Sequence, residues 1–192
     1  MQFRIRVCGL VVMACGAVLS SCTTTRAAKN RETPERKGET GKWEVSQSTN
    51  KMDGTKQAFV NLAAENEIQG TILKSRPFLG IRCTGGKRVE VLVDTGTVIQ
   101  HESGSPNIHT VRLKIDKANP VTQYWDEGTN HQVIWARDSR RLVKQFSASK
   151  TLLLEFTPFQ TSDQVAEFDL TGLTPALQSV ASVCGMNPKL GK

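Results

Sequence analysis

The sequence predicts a mainly β protein: a single antiparallel β-sandwich-like domain with two short helices, the second at the C-terminus. Three observations carry that expectation. Short runs of alternating apolar and polar residues recur from Trp43 onward. Gly-Gly, Asp-Gly and Asn-Pro turn signals separate them, and only two segments show the apolar spacing of a helix. The 192 residues are 38% hydrophobic and 22% charged, enough to bury one core, which argues against a disordered or fibrous chain. No apolar run reaches the roughly eighteen residues that would argue for a polytopic membrane protein.

The strands follow in order. Trp43-Glu44-Val45-Ser46 starts the first, and Asp53-Gly54 turns the chain into Ala58 to Leu62. Phe78 to Cys83 and Arg88 to Val93 flank Gly85-Gly86, whose freedom to take positive φ makes a hairpin turn there. Val89, Val91 and Val93 share one face of that second strand, while Glu90, Leu92 and Asp94 share the other. Val111, Leu113 and Ile115 alternate before Asn119-Pro120, and Gln132 to Ala136, Leu152 to Phe156 and Val165 to Leu170 supply the later strands. Asp138 caps a helix that places Leu142, Val143 and Phe146 on one face. Thr174-Pro175 reads as an N-cap followed by proline at the first helical position, and Leu177, Val180, Ala181 and Cys184 then line one side.

The N-terminus has its own logic. Arg4 and Arg6 precede a short apolar run from Val7 to Leu19, which ends in Leu19-Ser20-Ser21-Cys22. That arrangement describes a secretory leader, and its end resembles the bacterial lipobox, in which the cysteine thiol carries the lipid. Val12-Met13-Ala14-Cys15 fits less well, because it leaves too short an apolar stretch. Several acyl chains, palmitate among them, would hold the protein firmly at a membrane. Thr23, rather than Asp, follows the cysteine, which in a Gram-negative envelope favours the outer membrane. The chain therefore divides into a leader at 1–21, a lipidated Cys22 with a basic tether at 22–42, a β domain at 43–186 and a tail at 187–192.

This division reassigns the charge. Of the formal net +7, the leader carries +2 and residues 22–42 carry +3, so the remainder of the chain holds only +2. Nucleic acid is disfavoured as a partner by compartment and by charge distribution. The cysteine count changes too. With Cys8 and Cys15 in the leader and Cys22 lipidated, Cys83 and Cys184 remain, and two cysteines in an oxidising periplasm read as one disulfide.

Specific motifs lie in the second half. Leu154-Glu155-Phe156-Thr157-Pro158-Phe159, then Val165 through Asp169-Leu170-Thr171-Gly172-Leu173, then Val183-Cys184-Gly185, occur in that order. Together with Lys42-Trp43-Glu44-Val45, Ile81-Arg82-Cys83 and Thr122-Gln123-Tyr124-Trp125, they resemble the type VI secretion-associated VasI/TagO-like periplasmic proteins. The resemblance runs from Trp43 to Gly185. It implies an envelope accessory protein without family catalytic residues. The sequence departs from the family in its lipobox and in Met186-Asn187, where Trp commonly follows Cys-Gly.

The remaining motifs are weighed by their chemistry. Val91-Leu92-Val93-Asp94-Thr95-Gly96-Thr97 fits the aspartic-peptidase signature, but one copy needs a dimer to supply the second carboxylate, and no apolar-apolar-Gly segment follows well downstream. His101, His109 and His131 fall at or near loops without metal-ligand spacing, so they are expected at the surface, and no metal or cofactor is expected. Trp43, Tyr124, Trp125 and Trp135 are expected as core and edge aromatics. Arg137, Arg140, Arg141 and Lys144 form a basic face suited to an acidic partner. The expected function is non-enzymatic: a periplasm-facing outer-membrane lipoprotein that binds an envelope protein, with secretion support ahead of phage exclusion or immunity, and ahead of a dimeric peptidase using Asp94.

Overall fold

The computed structural model describes residues 40–186 apart from Lys87, Pro106 and Thr129. The leader, Cys22, the tether up to residue 39 and the tail therefore lie outside the described residues.

Alternation of apolar and polar residues becomes strand after strand. In chain order these are β1 (Glu44–Thr49), β2 (Lys56–Ala63), β3 (Ile68–Gln69), β4 (Lys74–Ser75), β5 (Phe78–Thr84) and β6 (Arg88–Asp94), followed by β7 (Ile108–Ile115), β8 (Val121–Glu127) and β9 (Val133–Trp135). Helix α1 (Ser139–Ser147) precedes β10 (Thr151–Phe156) and β11 (Gln164–Asp169), and α2 (Leu173–Ser179) and α3 (Ala181–Cys184) end the described chain. Nine strands form one sheet in the order β1-β2-β5-β6-β9-β8-β7-β10-β11, antiparallel at every pairing, while β3 and β4 make a separate small ribbon.

One face of this sheet makes the core. Val60, Ile81 and Val91 stand opposite one another across β2, β5 and β6, and Leu113, Leu154 and Ala166 do the same across β7, β10 and β11; all six are buried. The sheet curls so that the chain leaving β2 reaches the far edge. The Glu65 N–H donates to the Glu167 carbonyl at 2.8 Å, and the Asn66 side chain bonds both the Val165 carbonyl and the Glu167 N–H. This curling gives the sandwich-like layering that the alternation predicts.

The helices close the open side. In α1 the buried residues are Ser139, Leu142, Val143 and Phe146, and Asp138 caps the helix by accepting the Arg141 N–H. The C-terminal helix differs from expectation. It is two short helices broken at Val180, and its first turn begins at Leu173 with Gly172 as N-cap. The expected cap, Thr174, instead donates its hydroxyl to the Ser147 carbonyl at 3.1 Å, so it ties α2 to the end of α1. The described residues thus contain three helices, one more than the spacing suggested. Strand β8 is a second difference: its little apolar alternation does not predict a strand, yet it pairs with both β7 and β9.

Cys83 on β5 and Cys184 at the end of α3 form a disulfide with Cα atoms 4.9 Å apart. Beside it, Gly185 has φ +58 and lies directly against the Gly86 backbone, where a side chain would collide. The Gly85-Gly86 turn, both residues at positive φ, therefore serves as hairpin and as seat for the C-terminal helices.

A third tie involves Asp116, after β7. Its Oδ1 accepts the Lys150 and Thr151 N–H groups, each at 2.9 Å. The Thr151 and Lys150 hydrogen bonds hold its pKa below the ordinary 3.8.

Two outcomes are expected. Cys184→Ser is destabilised by about 2 to 4 kcal/mol in urea unfolding, and peptide mapping after thiol labelling of denatured wild type finds Cys83 and Cys184 unmodified; label at both contradicts the pairing. Because the folded pKa of Asp116 is depressed, its contribution is complete above the unfolded value near 3.8 and is lost as pH falls through the lower folded value. Asp116→Asn should therefore flatten the pH dependence of unfolding free energy in that acid window, and identical profiles would refute this role.

Candidate functional site

Two regions concentrate polar chemistry: the exposed side of α1, and a histidine cluster at the β7–β8 end of the sheet. The α1 face follows from its spacing. With Leu142, Val143 and Phe146 turned into the core, Arg140, Arg141 and Lys144 face outward. Arg137, just before the helix, is engaged: Nε and one terminal nitrogen donate to Asp126 Oδ1 at 2.9 and 2.6 Å. Arg137 lines two clefts, of about 990 Å³ and 840 Å³, with Arg140 on the first and Arg141 on the second. In the first, the Arg82 guanidinium lies 4.4 Å over the Trp135 ring and bonds Glu90. The second is more apolar and includes Val121 and Tyr124, both exposed.

Helix α1 is fixed to the sheet by Ser139. Its buried hydroxyl accepts the Val91 N–H at 2.8 Å and donates to the Ala136 carbonyl at 2.9 Å.

His101 and His131 lie on a loop and a turn, as the sequence suggests, and His109 does not. His109 was expected at the surface; it is buried on β7, on the same face as Val111 and Leu113. That period-two position is a signal present in the sequence. Glu127, which sequence reasoning passed over, lies on the inward face of β8 two residues beyond the buried Trp125. His101 comes from the β6–β7 loop and His131 from the β8–β9 turn. These two segments are stitched together, because the Ile99 N–H donates to the His131 carbonyl and the Thr95 N–H to the Gln132 carbonyl.

All three histidines of the chain thus meet one carboxylate. Glu127 Oε1 lies 2.8 Å from His131 Nδ1, 3.4 Å from His109 Nε2 and 3.8 Å from His101 Nδ1. Side-chain exposure runs from 1% at His109 and 6% at Glu127 to 33% at His101 and 61% at His131, so the cluster is closed on one side and open on the other. Burial opposes ionisation of Glu127, but the His131 hydrogen bond and the neighbouring imidazoles of His101, His131 and His109 outweigh it and hold the carboxyl below its ordinary value. His101, His109 and Glu127 present ligand-type atoms that all lie within 4.8 Å of one another.

Asp94 has a structural task. Its Oδ1 accepts the Gly96 N–H at 3.0 Å, and the Thr95 hydroxyl bonds the Thr97 and Gln132 carbonyls rather than the carboxylate. The peptidase-like motif is a turn that helps carry the β8–β9 connection. Of the aromatics, Trp43 and Trp125 are in the core, Trp135 is half-buried and Tyr124 is exposed.

No protein-family model matches the chain, and no curated protein sequence matches it, so the VasI/TagO-like motifs rest on the residues alone. Among solved structures, invasion associated protein B from Bartonella henselae is similar, with a TM-score of 0.50 and 15% identity over 74% of this chain and 93% of that one. At that identity the likeness shows the fold alone.

Ser139→Ala leaves the buried Val91 N–H without its acceptor and should cost about 1 to 3 kcal/mol in chemical unfolding. An unchanged midpoint would show that α1 is held without it.

Proposed function

We propose that this chain is a lipid-anchored binding protein of the bacterial envelope, which faces the periplasm from the outer membrane and contacts a protein partner through α1. The observation that carries the reading is the placement of Arg137, Arg140 and Arg141 along the rims of two adjacent clefts. A helix held rigidly by Ser139 and bordered by an Arg-Trp cleft and an apolar groove suits a partner with an acidic rim and an apolar centre.

The lipobox-like ending at Cys22 and the Cys83–Cys184 disulfide both favour an exported protein. The VasI/TagO-like motifs place support of a secretion apparatus first among envelope roles. The action is positional rather than enzymatic: lipid sets the location, the tether sets the reach and α1 makes the contact. Asp94 Oδ1 accepts the Gly96 N–H within its own turn, a structural role that favours this reading.

In-cell crosslinking and pull-down test this reading with three proteins: wild type, Cys22→Ser, and the double variant Arg140→Glu, Arg141→Glu. The double variant should lose the partner while keeping its unfolding midpoint, and Cys22→Ser should lose membrane fractionation and with it the crosslinks. An unchanged partner set in both variants, or a wild type found wholly in the soluble fraction, would sink the proposal.

A further inference from the structure

The His109 ring shows why the cluster needs something beyond its own side chains. His109 Nδ1 lies 2.9 Å from the Gln100 carbonyl oxygen, which only accepts, so Nδ1 carries a proton and donates it. In the neutral ring Nε2 is then a lone pair. That lone pair is buried, makes no hydrogen bond, and faces Glu127 Oε1 at 3.4 Å. His101 Nδ1 is buried and unbonded in the same way, 3.8 Å from the same oxygen. A lone pair, a second unbonded ring nitrogen and a carboxylate oxygen directed into one small volume are accommodated when a cation lies among them.

A proton is a poor answer to this geometry. An imidazolium at His109 would point an N–H at Glu127, yet Nε2 and Oε1, 3.4 Å apart, form no hydrogen bond. A metal ion fits better. Bonds of about 2.0 to 2.1 Å in a tetrahedral site put neighbouring ligand atoms about 3.3 Å apart. Two of the separations here are 3.4 and 3.8 Å, and ligand-type atoms of the three residues all lie within 4.8 Å of one another. Small rotations, chiefly of His101 on its loop, close the difference. The backbone carbonyl holding the far nitrogen of His109 is the outer-shell arrangement that fixes tautomer and ring orientation in metal-ligating histidines.

We propose that His101 Nδ1, His109 Nε2 and Glu127 Oε1 form a binding site for a divalent first-row transition-metal ion, with His131 as a positioning residue that holds Glu127. Two imidazoles and one carboxylate suit Zn²⁺ and its neighbours rather than Mg²⁺ or Ca²⁺, which take oxygen ligands. Three protein ligands leave a fourth position for water or a group from outside. His109 and Glu127 close the inner side and the more exposed His101 and His131 border the entry. Glu127 also borders the first cleft beside α1, but the site draws on no residue of that helix and does not depend on the proposed contact.

The test uses the full chain without a polyhistidine tag, purified in detergent, stripped with chelator and with its free thiols alkylated. Titration with Zn²⁺ against a chromophoric chelator should give one equivalent bound with a dissociation constant of about a micromolar or below. His101→Ala, on a loop, and Glu127→Gln should each weaken it about 100-fold or more, and His131→Ala about 10-fold, with unfolding midpoints in the stripped state confirming that each variant is folded. Co²⁺ loading should give a tetrahedral or five-coordinate ligand-field spectrum that His101→Ala abolishes. Absence of stoichiometric binding, or binding by His101→Ala and Glu127→Gln equal to wild type, overturns the site; an unchanged His131→Ala overturns the part given to His131.

Discussion

The bond between Cys83 and Cys184 joins an interior strand of the sheet, β5, to the last described helix, across 101 residues of sequence. Helices α2 and α3 are short, broken at Val180, and without side-chain caps, so they have little stability of their own. Their place is set by the disulfide, by the close seat of Gly185 on Gly86 and by the buried Leu173, Leu177 and Val183. Because Thr174 bonds the end of α1, that placement also bears on the helix that presents the basic face. The covalent link thus orders the layer covering one side of the sheet, while the sheet orders everything else.

The strands that alternate were readable from the sequence, and those that do not were missed. β2, β5, β6, β7, β10 and β11 each bury every second residue along much of their length. β8 buries one residue, Trp125, and its composition is that of a polar loop. It is a strand because β7 and β9 satisfy its backbone, a tertiary cause that local spacing does not carry. The histidine cluster disappeared with it, since Glu127 ends β8 and His131 sits in the turn that follows. His109 alone left a trace, two residues before Val111 on the same face. The helix start at Leu173 was misplaced for a related reason: Thr174 has the chemistry of a cap, but its hydroxyl is engaged with another helix.

The two candidate regions also differ in how the fold builds them. The α1 face is local, written in one turn-and-helix segment and held by a single serine hydroxyl. The histidine cluster is assembled from four separate places, a loop, two strands and a turn, and each half of it is braced by backbone bonds between the β6–β7 loop and the β8–β9 turn. The Asp94 to Thr97 segment, conspicuous as a sequence motif, belongs to that bracing.

The covalent loop has a mechanical consequence as well. Chain preceding Trp43 enters at edge strand β1, which together with β2 lies outside the segment closed by Cys83 and Cys184, whereas α1 lies inside it. A pull between the N-terminal side and α1 first meets β1 and β2 in series, a single path that can yield one element at a time. Beyond Cys83 the path divides, one arm running through β6 to β9 and the other through the disulfide and back along α3, α2, β11 and β10. Load is shared between two arms, and neither extends unless the other does, so the region carrying both the helix face and the histidine cluster is the last to give way.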